Sequence, residues 1–151
     1  MDVYERLRQQ GVELPEVIAP IGMFKNVVQT GKLLFVSGQG SISGDCVIKG
    51  SLAKDDDIAQ AQLGARYAAI NMLAVLHAYL GDLNRIKQVV KLLGFVASEP
   101  DFDRQHLVIN GASQLFAETF GEAGRHARSA IGVAALPGGI SVEVEGIFEL
   151  E

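Results

Sequence analysis

The chain has no tryptophan and a single cysteine, Cys46, among its 151 residues. One thiol excludes an internal disulfide and fits a reducing compartment. Cys46 follows Gly44-Asp45 at an expected turn, with no neighbouring base or helix end to lower its pKa, so it reads as a bystander rather than a nucleophile. Basic residues are also scarce, with 13 Lys+Arg against 18 Asp+Glu and a formal charge of −5. There is no Lys/Arg block and no row of aromatics interleaved with basic residues. Nucleic-acid affinity comes mostly from cations that neutralise phosphates, so no nucleic-acid partner is expected. The chain lacks an apolar run long enough to cross a bilayer. Met1-Asp2-Val3-Tyr4-Glu5-Arg6 lacks the basic-then-apolar pattern of a secretory signal, and the C-terminus carries no lipidation motif. The expectation is a cytoplasmic protein without a membrane partner.

What the chain does have is apolar surface, with 48% hydrophobic residues. That is high for one soluble domain of this length, and copies of the same chain could cover the surplus. Val3 to Gln10, stopped by Gly11, is expected to form a short, peripheral helix. Asn26–Gln29 and Leu33–Ser37 flank Thr30-Gly31-Lys32 as a hairpin, with Ser37-Gly38-Gln39-Gly40 ending its second strand. The two glycines there allow either close ligand approach or a simple bulge. Asp55-Asp56-Asp57 opens a helix that runs to Leu80, with Gly81 as its stop. Carboxylates crowded at a helix start are read as caps rather than as a metal site, and His77, within the helix, as structural. Ile86–Ala97 is an apolar strand, and Asp101–Phe120 a second helix with a stripe through Leu107, Ile109 or Asn110, Ser113, Phe116 and Phe120. Arg128–Ala134 and Ser141–Leu150 are strands joined across Leu136-Pro137-Gly138-Gly139. The order predicts one domain over residues 1–151, of α+β class, with a hairpin at each end and two helices on one face of a four- to six-stranded sheet.

Several separated stretches share their order and spacing with one family. Gly22-Met23-Phe24, Phe35-Val36-Ser37-Gly38-Gln39, the alanine-rich helix, Ala127-Arg128-Ser129-Ala130-Ile131-Gly132-Val133, Leu136-Pro137 and Val142-Glu143-Val144-Glu145 together resemble the YjgF/RidA family. Gly121-Glu122-Ala123-Gly124-Arg125-His126-Ala127-Arg128-Ser129 is most similar to its longer, poorly characterised branch. The resemblance implies a chorismate-mutase-like fold, a homotrimer whose sheets form a central barrel, clefts between subunits, and no metal or organic cofactor. It also implies hydrolysis of reactive 2-imino or enamine acids to 2-keto acid and ammonia.

On the residues alone, an arginine on a strand is usually a structural ion pair. The resemblance makes Arg128 the anchor of a small carboxylate, which a guanidinium can grip with two charge-assisted hydrogen bonds. Glu143 matches an acidic position that could place water or move a proton, although a solvated strand face explains it equally well. Ser37, Gly38 and Asn110 match ligand-proximal positions. Two departures stand out: Phe24 replaces a tyrosine and Ala130 replaces a cysteine. Carboxylate binding survives those changes better than deamination does. Three functions follow: an imine deaminase, a noncatalytic carboxylate binder or sensor, and the family's older endoribonuclease label, which the acidic composition disfavours. His126 could influence ligand binding by titrating, but a surface or interface role is the plainer reading. His106 reads as an ordinary helix residue.

Overall fold

The structure, a computed structural model, describes residues 2–17 and 19–151. Helix α1 spans Val3–Gln9. Strands β1 (Val27–Thr30) and β2 (Leu33–Gly40) form the expected antiparallel hairpin. A small flap follows, β3 (Ile42–Ser43) with β4 (Cys46–Val47), and Cys46 is exposed on it. Next come α2 (Ile58–Leu80), β5 (Ile86–Ala97), α3 (Gln105–Phe120), β6 (Ala127–Val133) and β7 (Val142–Leu150). Asp57, just before α2, makes no side-chain bond to the α2 backbone; it accepts from the backbone N–H groups of Ala53 and Lys54 at 2.9 and 3.1 Å, the reaching-back half of a capping box around the Asp55–Asp57 turn. Those two bonds hold its carboxyl below the ordinary carboxylate range. Gly81 ends α2 in a left-handed conformation, φ 80°.

The sheet order is β1-β2-β7-β5-β6, antiparallel except for β5 against β6. The C-terminal pair is therefore not the hairpin expected from the sequence. Strands β5 and β6 are joined through α3, and a parallel pair needs such a crossover. Residues 134–141 then carry the chain back past β5, so that β7 pairs with β5 on one side and β2 on the other. The apolar run of β5 thereby gains a ladder partner on each edge.

Both long helices pack on one face. Leu34, Val36, Leu92, Val96, Val142, Val144 and Phe148 point from the sheet into a core shared with Ala65, Ala68, Met72, Leu76, Ile109 and Phe116. In α3 the buried stripe is Val108, Ile109, Ala112, Leu115, Phe116 and Thr119, rotated from the predicted one. Ser113 is thereby freed from the packed face. Helix α1 is not peripheral either. Val3 and Leu7 are buried, and Gln10 donates to the Thr119 hydroxyl at 2.9 Å. His77 is structural as expected: Tyr4 Oη accepts from the Leu83 N–H and lies 2.7 Å from His77 Nδ1.

Among the described residues, no helix lies over the other face of the sheet. Val28, Phe35 and Ile131 are exposed there at 52, 42 and 44%. Cross-strand pairing places Ile147 beside Phe35, and Phe95 between Glu143 and Ile131. Apolar side chains thus alternate with carboxylates on an open surface.

The two helices approach closely at Gly111. A methyl group there would stand 2.1 Å from the backbone oxygen of Gln62 on α2. Although alanine is the better helix former, Gly111→Ala forces the helices apart. The expected cost is about 2–3 kcal/mol, lowering Tm by roughly 6–10 °C in a calorimetric melt. An unchanged or higher Tm contradicts this packing.

Candidate functional site

Arg128 lies on β6, on the face that meets α3. Pairing with Leu92 fixes its position on the sheet, and α3 supplies its partners one turn apart. Nη1 donates to Asn110 Oδ1 at 2.8 Å and to Ser113 Oγ at 3.1 Å, while Nη2 donates to the His106 carbonyl at 3.3 Å. All three acceptors are neutral. Among the described residues no carboxylate pairs with this arginine. A guanidinium has five N–H donors, so three engaged bonds leave two for a ligand. Partial burial pushes the guanidinium pKa down, which marks the cost of keeping that charge uncompensated. A cavity of about 500 Å³ opens in front of it, lined by Asn110, Ser113, Gln114, Ala117, Arg125, His126 and Arg128, with no carboxylate among the described residues of its wall.

His126 joins this network rather than facing outward as a surface residue. Its Nδ1 is 2.7 Å from the Gly124 carbonyl and its Nε2 is 2.9 Å from Ser113 Oγ. Burial first, and the charge of Arg128 as well, push the imidazole below its ordinary pKa, while the bond to Gly124 opposes them. The sequence offered one signal for this cluster. Asn110 and Ser113 are three residues apart on a helix, and His126 and Arg128 two apart on an extended chain, so each pair can share a face.

Glu143, Ser37 and Gly38 form a second group, with Glu143 on the open side of the sheet. One extra residue in β2 between Val36 and Gln39 makes a β-bulge there. A methyl group on Gly38 would stand 2.8 Å from the Glu143 carboxyl carbon, so the glycine is what admits this side chain. Ser37 Oγ donates to the Lys25 carbonyl at 2.6 Å, tethering the Phe24–Asn26 segment to the bulge. Its hydroxyl proton is thus engaged within the chain. Phe24 itself is 54% exposed. Burial, and then repulsion from Glu145, push the Glu143 carboxyl above the ordinary carboxylate range.

The residues expected to act together therefore divide. Arg128, Asn110 and Ala130 sit on the α3 side, with Ala130 packed against the core. Glu143 faces away, opposite Phe95, whose other neighbour is the exposed Ile131. Within one chain the two groups lie on opposite faces of the sheet and do not meet. A larger cavity, about 700 Å³, lies between α1, residues 12–17 and α2. Its wall is mostly apolar and its one imidazole, His77, is bound to Tyr4, so size alone does not make it the reactive centre.

The family model for YjgF/chorismate mutase-like proteins, a family with a provisional endoribonuclease label, matches residues 4–142. Protein TCP17 of Trypanosoma cruzi is 43% identical, the alignment covering 98% of this chain and 94% of that protein. The structure of the Agrobacterium tumefaciens protein Atu1372, of unknown function, superposes with a TM-score of 0.90 at 44% identity, covering 99% of this chain and 94% of that one. RidA from an Antarctic Psychrobacter superposes with a TM-score of 0.62 at 26% identity, covering 89% and 94%. The chain is thus closer in shape and sequence to the uncharacterised Agrobacterium protein than to that RidA.

Because Glu143 is raised partly by its neighbour, Glu145→Gln should lower the Glu143 pKa, read by carbon NMR of the side-chain carboxyl across a pH series. The sign of the stability linkage follows from the raised value. The contribution of Glu143 is complete below its unfolded pKa near 4.5 and is lost as pH rises through the folded value. Glu145→Gln should shift that loss to lower pH. A Glu143 titration unmoved by the substitution contradicts the pairing.

Proposed function

The chain belongs to the YjgF/chorismate mutase-like family, and on that premise we propose that it is a hydrolytic deaminase of small reactive 2-imino or enamine acids. The observation that carries this reading is an arginine whose every acceptor is neutral and which keeps two donors for a ligand. A planar carboxylate fits that fork and supplies the missing negative charge. The working unit is proposed to be a homotrimer, in which the open apolar face of one copy is covered by another and the two half-sites meet at the seam. The exposure of Val28, Phe35 and Ile131 supports this, because a bare apolar face is best buried against a copy of itself.

In the proposed cleft Arg128 of one subunit holds the substrate carboxylate and thereby fixes the imine carbon beside Glu143 of its neighbour. Water adds to that carbon as the imine nitrogen gains a proton, giving a carbinolamine. The carbon–nitrogen bond then breaks, ammonia leaves, and the hydroxyl proton departs to give the keto acid. A carboxyl held above its usual pKa suits Glu143 to carry protons between water and nitrogen in these steps. No metal or organic cofactor is required by this chemistry.

One observation favours a second reading, a noncatalytic carboxylate binder or sensor. Phe24 has no hydroxyl, and Ser37 gives its proton to Lys25, so the open-face half offers Glu143 and backbone groups but no free side-chain hydroxyl. Cleavage of RNA fits less well. The chain is acidic, and His77 and His126 are each engaged in separate clusters.

The deciding assay generates 2-iminobutyrate in situ and follows keto acid and ammonia above the spontaneous background. Arg128→Ala loses two charge-assisted bonds, so kcat/KM should fall about 10²–10³-fold while the oligomer stays intact. Acceleration that persists in the variant contradicts Arg128 as the anchor, and a folded wild type that binds keto acids without turnover supports the binder. Separately, Ile131→Asp should dissociate the oligomer in light scattering and abolish activity together, with each chain still folded by circular dichroism. A fully active monomer contradicts the shared site.

A further inference from the structure

The hydrogen bonds around His126 have a direction that the geometry fixes, and the fixed point is the Gly124 carbonyl. A carbonyl oxygen only accepts, so the imidazole nitrogen 2.7 Å from it, Nδ1, must carry the proton. In the neutral ring Nε2 is then a bare lone pair. Ser113 Oγ, 2.9 Å away, must donate its one hydroxyl hydrogen to that lone pair. The serine oxygen keeps only acceptor capacity for its remaining neighbour, Arg128 Nη1 at 3.1 Å. Each link sets the polarity of the next, from Gly124 through His126 and Ser113 to Arg128.

The far end of this chain is rigid. A methyl group on Gly124 would stand 2.0 Å from the backbone oxygen of Phe116, so the turn carrying the carbonyl is pressed against the end of α3. The imidazole is also set edge-on to the Phe116 ring, with centroids 6.3 Å apart at 85°. Ser113 and Asn110 are both on α3, and together they take both hydrogens of Nη1. With that nitrogen pinned, rotation of the guanidinium is blocked and its remaining donors face one way.

We propose that Ser113 and His126 are positioning residues that hold the Arg128 guanidinium in its carboxylate-binding orientation. They do not touch the ligand through this chain of bonds; they act through the arginine. The inference rests on the reading of Arg128 as a carboxylate anchor and adds that the anchor depends on a specific histidine tautomer. It assigns a purpose to Gly124-Arg125-His126-Ala127-Arg128, where the histidine is the second residue before the arginine.

The test has a ligand-free arm and a ligand arm, on the full-length oligomer. In nitrogen NMR the wild-type His126 ring should show the Nδ1–H tautomer, and the Arg128 Nη hydrogens should be resolved rather than averaged by rotation. Ser113→Ala and His126→Phe should each average the arginine signals. His126→Gln, whose amide oxygen can stand in for Nε2 as an acceptor, should keep them resolved. In calorimetric titration with 2-oxobutanoate, Ser113→Ala and His126→Phe should each weaken binding about tenfold, and the double variant should be no weaker than either single one. His126→Gln should bind within about threefold of wild type. An Nε2–H tautomer in the wild type, or arginine signals that stay resolved in folded Ser113→Ala and His126→Phe, overturns the proposal. So does an additive double variant. If the wild type binds no keto acid, the anchor reading fails, and the NMR arm alone still decides whether this chain orients the arginine.

Discussion

A cation half-withdrawn from water and given only neutral acceptors is the constraint around which this molecule is arranged. Arg128 could have been paired with a carboxylate and become ordinary structural glue. Instead its partners are an amide oxygen, a hydroxyl and a backbone carbonyl. These bonds fix direction while leaving charge, and that combination suits an anion-binding group rather than a stabilising one. The rotation of α3 supplies two of those partners. Its apolar stripe packs on the sheet through Ile109, Ala112 and Phe116, and this turns Asn110 and Ser113 toward β6.

The sheet imposes the second constraint. Successive residues of a strand alternate between faces, so a sheet with helices on one side offers two unlike surfaces. Arg128 belongs to the covered side and Glu143 to the open side. No local adjustment brings them together in one chain, because the strands between them are paired along their length. The proposed association of copies would cover the apolar open face and bring the two groups together at once.

Much of the fold could be read from residue order alone. The Asp57 capping box, the alanine-rich helix, the Gly81 stop and the β5 run all rest on local chemistry, and each appears close to where local rules put it. The C-terminal hairpin was misread because strand neighbours are chosen by tertiary pairing: β7 inserts between β2 and β5, and nothing within residues 127–150 records that. The stripe of α3 was misphased because Ser113 and Asn110 sit near apolar positions, and only the sheet decides which side they face. Helix α1 looked peripheral for a similar reason. Two apolar residues, Val3 and Leu7, suffice to dock it when the surface opposite is apolar too. Arg128, Asn110, Glu143, Ser37 and Gly38 were named as candidates by motif resemblance, and a bulge near Gly38 was one of two readings that the glycines themselves allowed. Their division between faces was not legible, nor were the bonds of His126, one of which goes to a carbonyl that no side-chain pattern reveals.

The central claim is that Arg128 of one copy and Glu143 of another complete one cleft. Subunit complementation tests it most directly, by co-assembling Arg128→Ala and Glu143→Gln chains and assaying the mixed oligomer for deamination or, without turnover, for 2-oxobutanoate binding. If the site is shared, two defective parents should restore intact function in about a quarter of the clefts formed by random mixing. A mixed oligomer as inactive as either parent would place both residues in the work of a single chain and contradict the account.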